Sequence, residues 1–303
     1  MSGHYLDPKN DYAFRRIFGD EKRESLLRHF LNDVLKLKGS HAIKSLKVSD
    51  PNQIPQIKGL KHTIVDVRCK DQENREFIIE MQVAGKEEFP QRILHYVAKA
   101  IVDQLESGQN YNDLRRVTLL SIVNFPLLKS KKYFANHLVL DEEDGEHLVQ
   151  DVAFSFLDLT KFHKKLDALQ TPTEKWAYFF KHAHQTPIRD IPKPLRDPDI
   201  DQAFGVLERM GLSKTEKRLY DSAERARRDR VSEIRKSFND GKKEGVAEGK
   251  KEGEKIGIAK GEKMGIAKER METAQRLLAM GLDVQQIAQG SGLTVEEIEK
   301  LKS

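Results

Sequence analysis

HTIVDVRCKDQENREFIIEMQVAG, residues 62–85, divides into two alternating stretches on either side of a polar turn. A run of Thr, Ile and Val, then Asp71-Gln72-Glu73-Asn74, then Phe and Ile, predicts strands over 63–70 and 76–83 joined as a hairpin. Strand alternation puts Ile64, Asp66 and Arg68 on one face, and Glu76, Ile78, Glu80 and Gln82 on one face of the second strand. Centring the turn on Glu73 pairs Asp66 with Glu80, Arg68 with Ile78 and Lys70 with Glu76. Directly opposed residues project from the same face, their Cβ atoms about 4.5 to 5.5 Å apart, and like charges so placed destabilise a sheet.

Two readings of this pair stand on the residues alone. Polar-out alternation on the wet face of a hairpin produces the same spacing. Alternatively, the carboxylates hold a hard divalent cation, since magnesium is commonly bound by one or two acidic side chains and keeps several waters. Such an ion makes its bound water easier to deprotonate and offsets charge on a phosphate.

Around the hairpin the chain reads as an α/β domain. Apolar positions Phe14, Ile17, Phe18, Leu26, Leu27, Phe30, Leu31 and Val34 predict helix over 11–37, and Ile93, Val97, Ile101 and Leu105 predict another over 90–107. Residues 117–125 form a nearly unbroken apolar run, the pattern of a buried strand, with further edge strands expected at 137–141 and 149–157. Residues 161–236 read as a helical extension interrupted by Pro187, Pro192, Pro194 and Pro198. Glycine then recurs at every fourth position from Gly241 to Gly265. That spacing lines one edge of a helix, where a partner backbone can approach, although each interior glycine costs a helix about 1 kcal/mol relative to alanine. The segment 237–270 is therefore a pairing helix or a charged tether. Residues 271–303 read as a small helical hairpin, with Thr294 and Glu297 as a capping box; Glu296, Glu297 and Glu299 argue against its reading DNA.

Ordered motifs through 7–160 give a resemblance. Asp66, a turn, then Glu80-Met81-Gln82 resembles the D…(E/Q)-x-(K/Q) signature of PD-(D/E)XK nucleases, with glutamine at the usual lysine position. Asp11-Tyr12-Ala13-Phe14, Ile17-Phe18-Gly19, Arg92, Tyr96, Gln104-Leu105 and Gly108-Gln109-Asn110-Tyr111 are similar to the recombination-promoting nuclease and transposase family of bacteria. The resemblance implies a PD-(D/E)XK restriction-endonuclease-like core with a mixed sheet flanked by helices over 1–160, followed by an α-helical C-terminal extension. It implies a magnesium-dependent DNA endonuclease, with manganese as an alternative ion. Asp66 and Glu80 become the metal carboxylates, the Met81 carbonyl completes the site, and Gln82 replaces the catalytic lysine. Asp11 either adds a carboxylate or caps its helix. Arg92 and Gln104 either face the cleft or hold their helix, and Arg68 either supplies the missing charge or neutralises Glu76 or Glu80. A glutamine neither donates a proton as lysine does nor carries its charge. An inactive nuclease fold serving as a DNA-binding or assembly module is therefore the alternative function.

Composition narrows the remaining classes. The 303 residues are 38% hydrophobic and 33% charged, and no apolar run approaches a membrane span. Net charge is +5, which permits a DNA partner. Cys69 is the one cysteine, excluding an internal disulfide or a cysteine zinc cluster. Phosphate-cradling glycine loops and nucleophile elbows are missing, which removes the kinase and serine-hydrolase classes. With no secretory leader at 1–14, the expected location is the cytoplasm, and the expected assembly is a homo-oligomer formed through the C-terminal region.

Overall fold

A computed structural model describes residues 5–49, 52–53, 63–85, 87–106, 108–188, 190–208 and 212–302. The chain divides into two compact units, 1–234 and 235–303.

The first unit opens with α1 (Asp11–Phe18) and α2 (Glu24–Leu35). The single helix expected over 11–37 is thus two. Gly19 ends α1, its N–H bonded to the Arg15 carbonyl, and a bare hydrogen suits the spot because a Cβ there would lie 2.8 Å from that oxygen. The cap of α1 is Asn10, whose side chain accepts from the N–H groups of Tyr12 and Ala13, so Asp11 is the first helical residue and not the cap.

Six strands follow in one mixed sheet. They are β1 (Leu46–Ser49), β4 (Val67–Asp71), β5 (Glu76–Gln82), β6 (Val117–Val123), β7 (Phe134–Leu138) and β8 (Val152–Asp158), in the spatial order β1-β4-β5-β6-β8-β7. The strands β2 (Asn52–Gln53) and β3 (Thr63–Ile64) pair separately. In the central part β5, β6 and β8 run parallel, while β4 is antiparallel to β5 and β7 to β8. The expected hairpin register holds, Arg68 opposite Ile78 and Lys70 opposite Glu76. The chain from 149 to 157 is no edge: β8 lies between β6 and β7, which explains its near-continuous burial.

Alternation on β5 divides the core. Phe77, Ile79 and Met81 face the larger cluster, with α1, α2, α4 (Pro172–His182) and α5 (Pro198–Val206). Ile78 faces the smaller one, built with α3 (Phe89–Val102). Beyond residue 160 the chain contributes Trp176, Phe179, Phe180 and Phe204, all with no exposed surface, to the same cluster as Phe14 and Phe18. Three of them fall in the run Trp176-Ala177-Tyr178-Phe179-Phe180, inside the stretch read from sequence as a helical extension.

The helix α6 (Lys214–Ala279) begins in the first unit and continues into the second. Its start is fixed to the N-terminal segment. The Asp7 N–H donates to the Tyr220 hydroxyl at 3.1 Å, Arg227 lies 3.4 Å from the Asp7 carboxylate, and Asn10 donates to Glu224 at 3.3 Å. In the second unit the glycine repeat is helical, and open space surrounds the Cβ position of each glycine from Gly241 to Gly265. The end of α6 packs with α7 (Val284–Ser291) and α8 (Val295–Lys302) around Ala274, Ile287 and Ile298. The Thr294–Glu297 capping box forms as the sequence predicts, with the Thr294 N–H donating to Glu297 at 2.8 Å.

Candidate active site

The site lies where β4 fails to extend. Ladder pairing stops at Val67, and the backbone N–H of Asp66 donates instead to Oε1 of Glu80 at 3.3 Å. In return, Oδ2 of Asp66 accepts from the Met81 N–H at 2.9 Å. Two buried carboxylates, 8% and 2% exposed, are thereby held in one spot, Glu80 by the Asp66 N–H and Asp66 by the N–H of the residue after Glu80. The Gln82 carbonyl faces β6, where it accepts from Asn124 at 2.8 Å. Strand alternation directs the Met81 carbonyl to the opposite side, towards Asp66.

Burial pushes the Asp66 carboxyl up to about 6, with the charge of Asp11 adding to the rise and the Met81 N–H and Arg15 opposing it. Glu80 is also raised well above its ordinary range, first by burial and then by the charge of Asp66. Neighbouring Tyr96, packed in the α3 cluster, is pushed up to about 12 by burial and then by Glu80. Like charges this close do not ionise together without a compensating cation.

Two arginines reach these side chains. Arg15, one turn along α1 from Asp11, donates to Oδ1 of Asp66 from Nη2 at 3.2 Å and from Nε at 3.3 Å. Arg92 on α3 donates to Oε1 of Gln82 at 2.7 Å, and Gln82 donates from Nε2 to Glu80 at 2.8 Å. Arg68 does not reach the carboxylates; it pairs with Glu76 at the far end of β5. Gln104 is a brace, its amide bonded to both backbone groups of Arg115.

Asp11 is close enough to raise the charge burden on Asp66, and its own carboxyl is raised by burial against the pull of Arg230, Arg15 and Arg227. A small cleft of about 10 Å3 brings Asp11 together with Met81, Val83, Ala84, Arg227 and Arg230. Two of these six come from α6, which sequence reasoning kept outside the core.

Donor chemistry at this spot suits a hard cation. Among the described residues no three His, Cys, Asp or Glu side chains converge as a metal cage; two carboxylates and a strand carbonyl are groups that could hold such an ion. Two buried polar atoms beside it, Oγ of Ser121 and Nε of Arg92, have no partner among the described residues. Ser121 lies directly opposite Glu80 in the β5–β6 ladder.

A family model described as PD-(D/E)XK nuclease family transposase matches residues 8–237. The chain belongs to that family. No curated protein and no solved structure matches it. PD-(D/E)XK nucleases usually use divalent metals, and the mixed sheet flanked by helices is consistent with the core of that fold. Membership in the PD-(D/E)XK transposases reaches past β8 into α6, the same stretch over which the aromatic core and the Arg227–Arg230 turn extend. Sequence reading missed Arg15, although it lies four residues from Asp11 and so on the same helix face. Ser121 carried no signal; a serine in an apolar strand looks like packing until its neighbour is known.

Proposed function

We propose that the chain is a divalent-metal-dependent DNA endonuclease that hydrolyses phosphodiester bonds with little sequence preference, working in DNA recombination or on mobile elements. Magnesium is the working ion and manganese its substitute. The observation that carries this reading is the mutual lock of Asp66 and Glu80, each accepting a backbone N–H beside the other at 2.9 and 3.3 Å. Holding two acids together where neither ionises easily is unfavourable for folding alone, and it is the arrangement a hard cation relieves.

Asp66, Glu80 and the Met81 carbonyl are the groups that would hold the ion. When bound, it activates a coordinated water and offsets charge on the phosphate. The chain's own residues supply the remainder. Gln82, held at one end by Arg92 and at the other by Glu80, presents a fixed amide to a water or a phosphate oxygen. Arg92 restores the positive charge that a lysine at 82 would carry. Arg15, Arg227 and Arg230 border the approach and favour the DNA backbone, whose contacts carry no sequence information. The glycine-edged part of α6 joins copies of the chain into a homo-oligomer, and the enzyme acts in the cytoplasm.

The test is nicking of supercoiled plasmid in magnesium or manganese by the wild type, Asp66→Ala and Glu80→Ala. Cutting by the wild type alone, abolished by EDTA, is expected. Absence of cutting in all three would leave a DNA-binding or assembly module with a nuclease fold.

A further inference from the structure

A larger cavity lies well away from the carboxylates. Its volume is about 250 Å3. It opens on the face of the sheet that carries Phe77, not on the face shared by Ile78 and Glu80. It also lies at the other end of β5, since Phe77 is near the start of that strand and Glu80 and Gln82 near its finish.

Six of its lining residues have polar side chains: His41, Arg75, Arg116, Thr118, Asn136 and Ser155. None is acidic. Arg75 is already committed, donating to the Asp71 carboxylate at 2.6 Å and to the His41 carbonyl at 3.2 Å. Arg116 is different. Among the described residues its side chain has neither an ion pair nor a hydrogen bond, although it is half-buried. Burial, and then the charge of Arg75, hold its guanidinium below the usual range against the pull of Asp151. A guanidinium with no close partner is free to meet a phosphate or a carboxylate through paired N–H donors.

The surrounding groups favour phosphate. Thr118 and Ser155 are buried on β6 and β8. Ser155 donates to the Asn136 carbonyl oxygen at 2.8 Å, which fixes that amide and leaves its nitrogen as a donor. Donors thus come from separate strands, an arrangement suited to a tetrahedral oxyanion more than to a planar carboxylate. The rest of the wall, including Phe77 and Leu138, is apolar, which suits an organic body and not a bare ion.

We propose that this cavity is a binding site for a small organic phosphate, a phosphate monoester with a body of nucleoside size, held through Arg116. It is independent of the nuclease reading. The experiment titrates the full chain, in EDTA, with adenosine 5′-monophosphate and with inorganic phosphate, read by calorimetry and by thermal unfolding. The wild type and Asp66→Ala should bind the nucleotide equally and gain a few degrees in Tm at saturation. Arg116→Ala should weaken binding at least tenfold, Thr118→Val several-fold, and inorganic phosphate should bind more weakly than the nucleotide. Where Arg116→Ala fails to fold, Arg116→Lys and Thr118→Val decide the matter by the same weakening. No binding at millimolar nucleotide, binding indifferent to Arg116 and Thr118, equal binding of inorganic phosphate, or loss of binding in Asp66→Ala would each overturn the proposal.

Discussion

Arg92 donates to Gln82 across 2.7 Å, and this contact sets a cation beside the last residue of Glu80-Met81-Gln82. The guanidinium arrives from α3 instead of from β5, and it also rests over the Phe89 ring at 5.3 Å. A charge supplied by a neighbouring element has a consequence for substitution. Arg92→Ala should reduce nicking by about 10- to 100-fold, the scale of losing one charge-stabilising group. Gln82→Lys alone should gain nothing, because its ammonium meets the Arg92 guanidinium. Combined with Arg92→Ala, it should recover activity, giving a strongly non-additive cycle. Plasmid nicking rates for the four proteins test this; additive losses would show that Arg92 and Gln82 act separately.

The raised carboxyls fix the sign of a pH effect. Asp66 titrates at about 6 in the folded chain and near 3.9 when unfolded, so the folded state binds more protons between those values. Its contribution to stability is therefore present below about pH 4 and lost as pH rises through about 6. In EDTA at pH 8, Asp66→Asn should stabilise the fold, on the order of 1–3 kcal/mol, while keeping an acceptor for the Met81 N–H. Urea unfolding at pH 8 and pH 4 measures it, and the gain should vanish at the lower pH. Metal affinity of the wild type should move the other way, rising with pH through about 6 as the acids lose their protons.

The nearness of Asp66 and Glu80 was legible because period-two alternation and turn position fix the register, although the ladder itself ends one pair earlier, at Val67 and Ile79. The central strand β6 was legible for a different reason, its nearly unbroken apolar run. What escaped was tertiary. Arg15 and Ser121 acquire meaning only through their neighbours, and Trp176 and Phe180 belong to the core only because α4 docks on α2. The break at Asp66 also escaped, since a strand pattern does not reveal that a carboxylate will take the place of a ladder partner. Masking by composition hid the role of α6, whose charged surface conceals the residues that fasten it to Asp7 and Asn10.

Arg15 neutralises Asp66 from a half-exposed position, 44% by side chain, so solvent screening limits its value to folding. Arg15→Ala should change stability by less than about 1 kcal/mol. Its effect on DNA should be larger in binding than in turnover: with the metal bound, the guanidinium is free to meet a phosphate. The expected result is a raised KM, little change in kcat, and a salt slope of binding reduced by about one. A fall in kcat with unchanged KM would place Arg15 in the chemistry itself.

The glycine repeat gives the last prediction. Seven glycines at about 1 kcal/mol each weigh heavily against the middle of α6, and nothing within 4 Å of their Cβ positions offsets this. Apolar side chains on the same stretch, Val246, Ile256, Ile258 and Ile266, are half to mostly exposed. A second copy approaching along the glycine edge would bring the close backbone contact that alanine forbids. Ending the chain at residue 240 should therefore reduce a dimer or higher species to a monomer by light scattering, and replacing all seven glycines with alanine should raise helix content while weakening association. A monomer for both the full chain and its truncation would sink the pairing reading and leave this segment a charged helical tether.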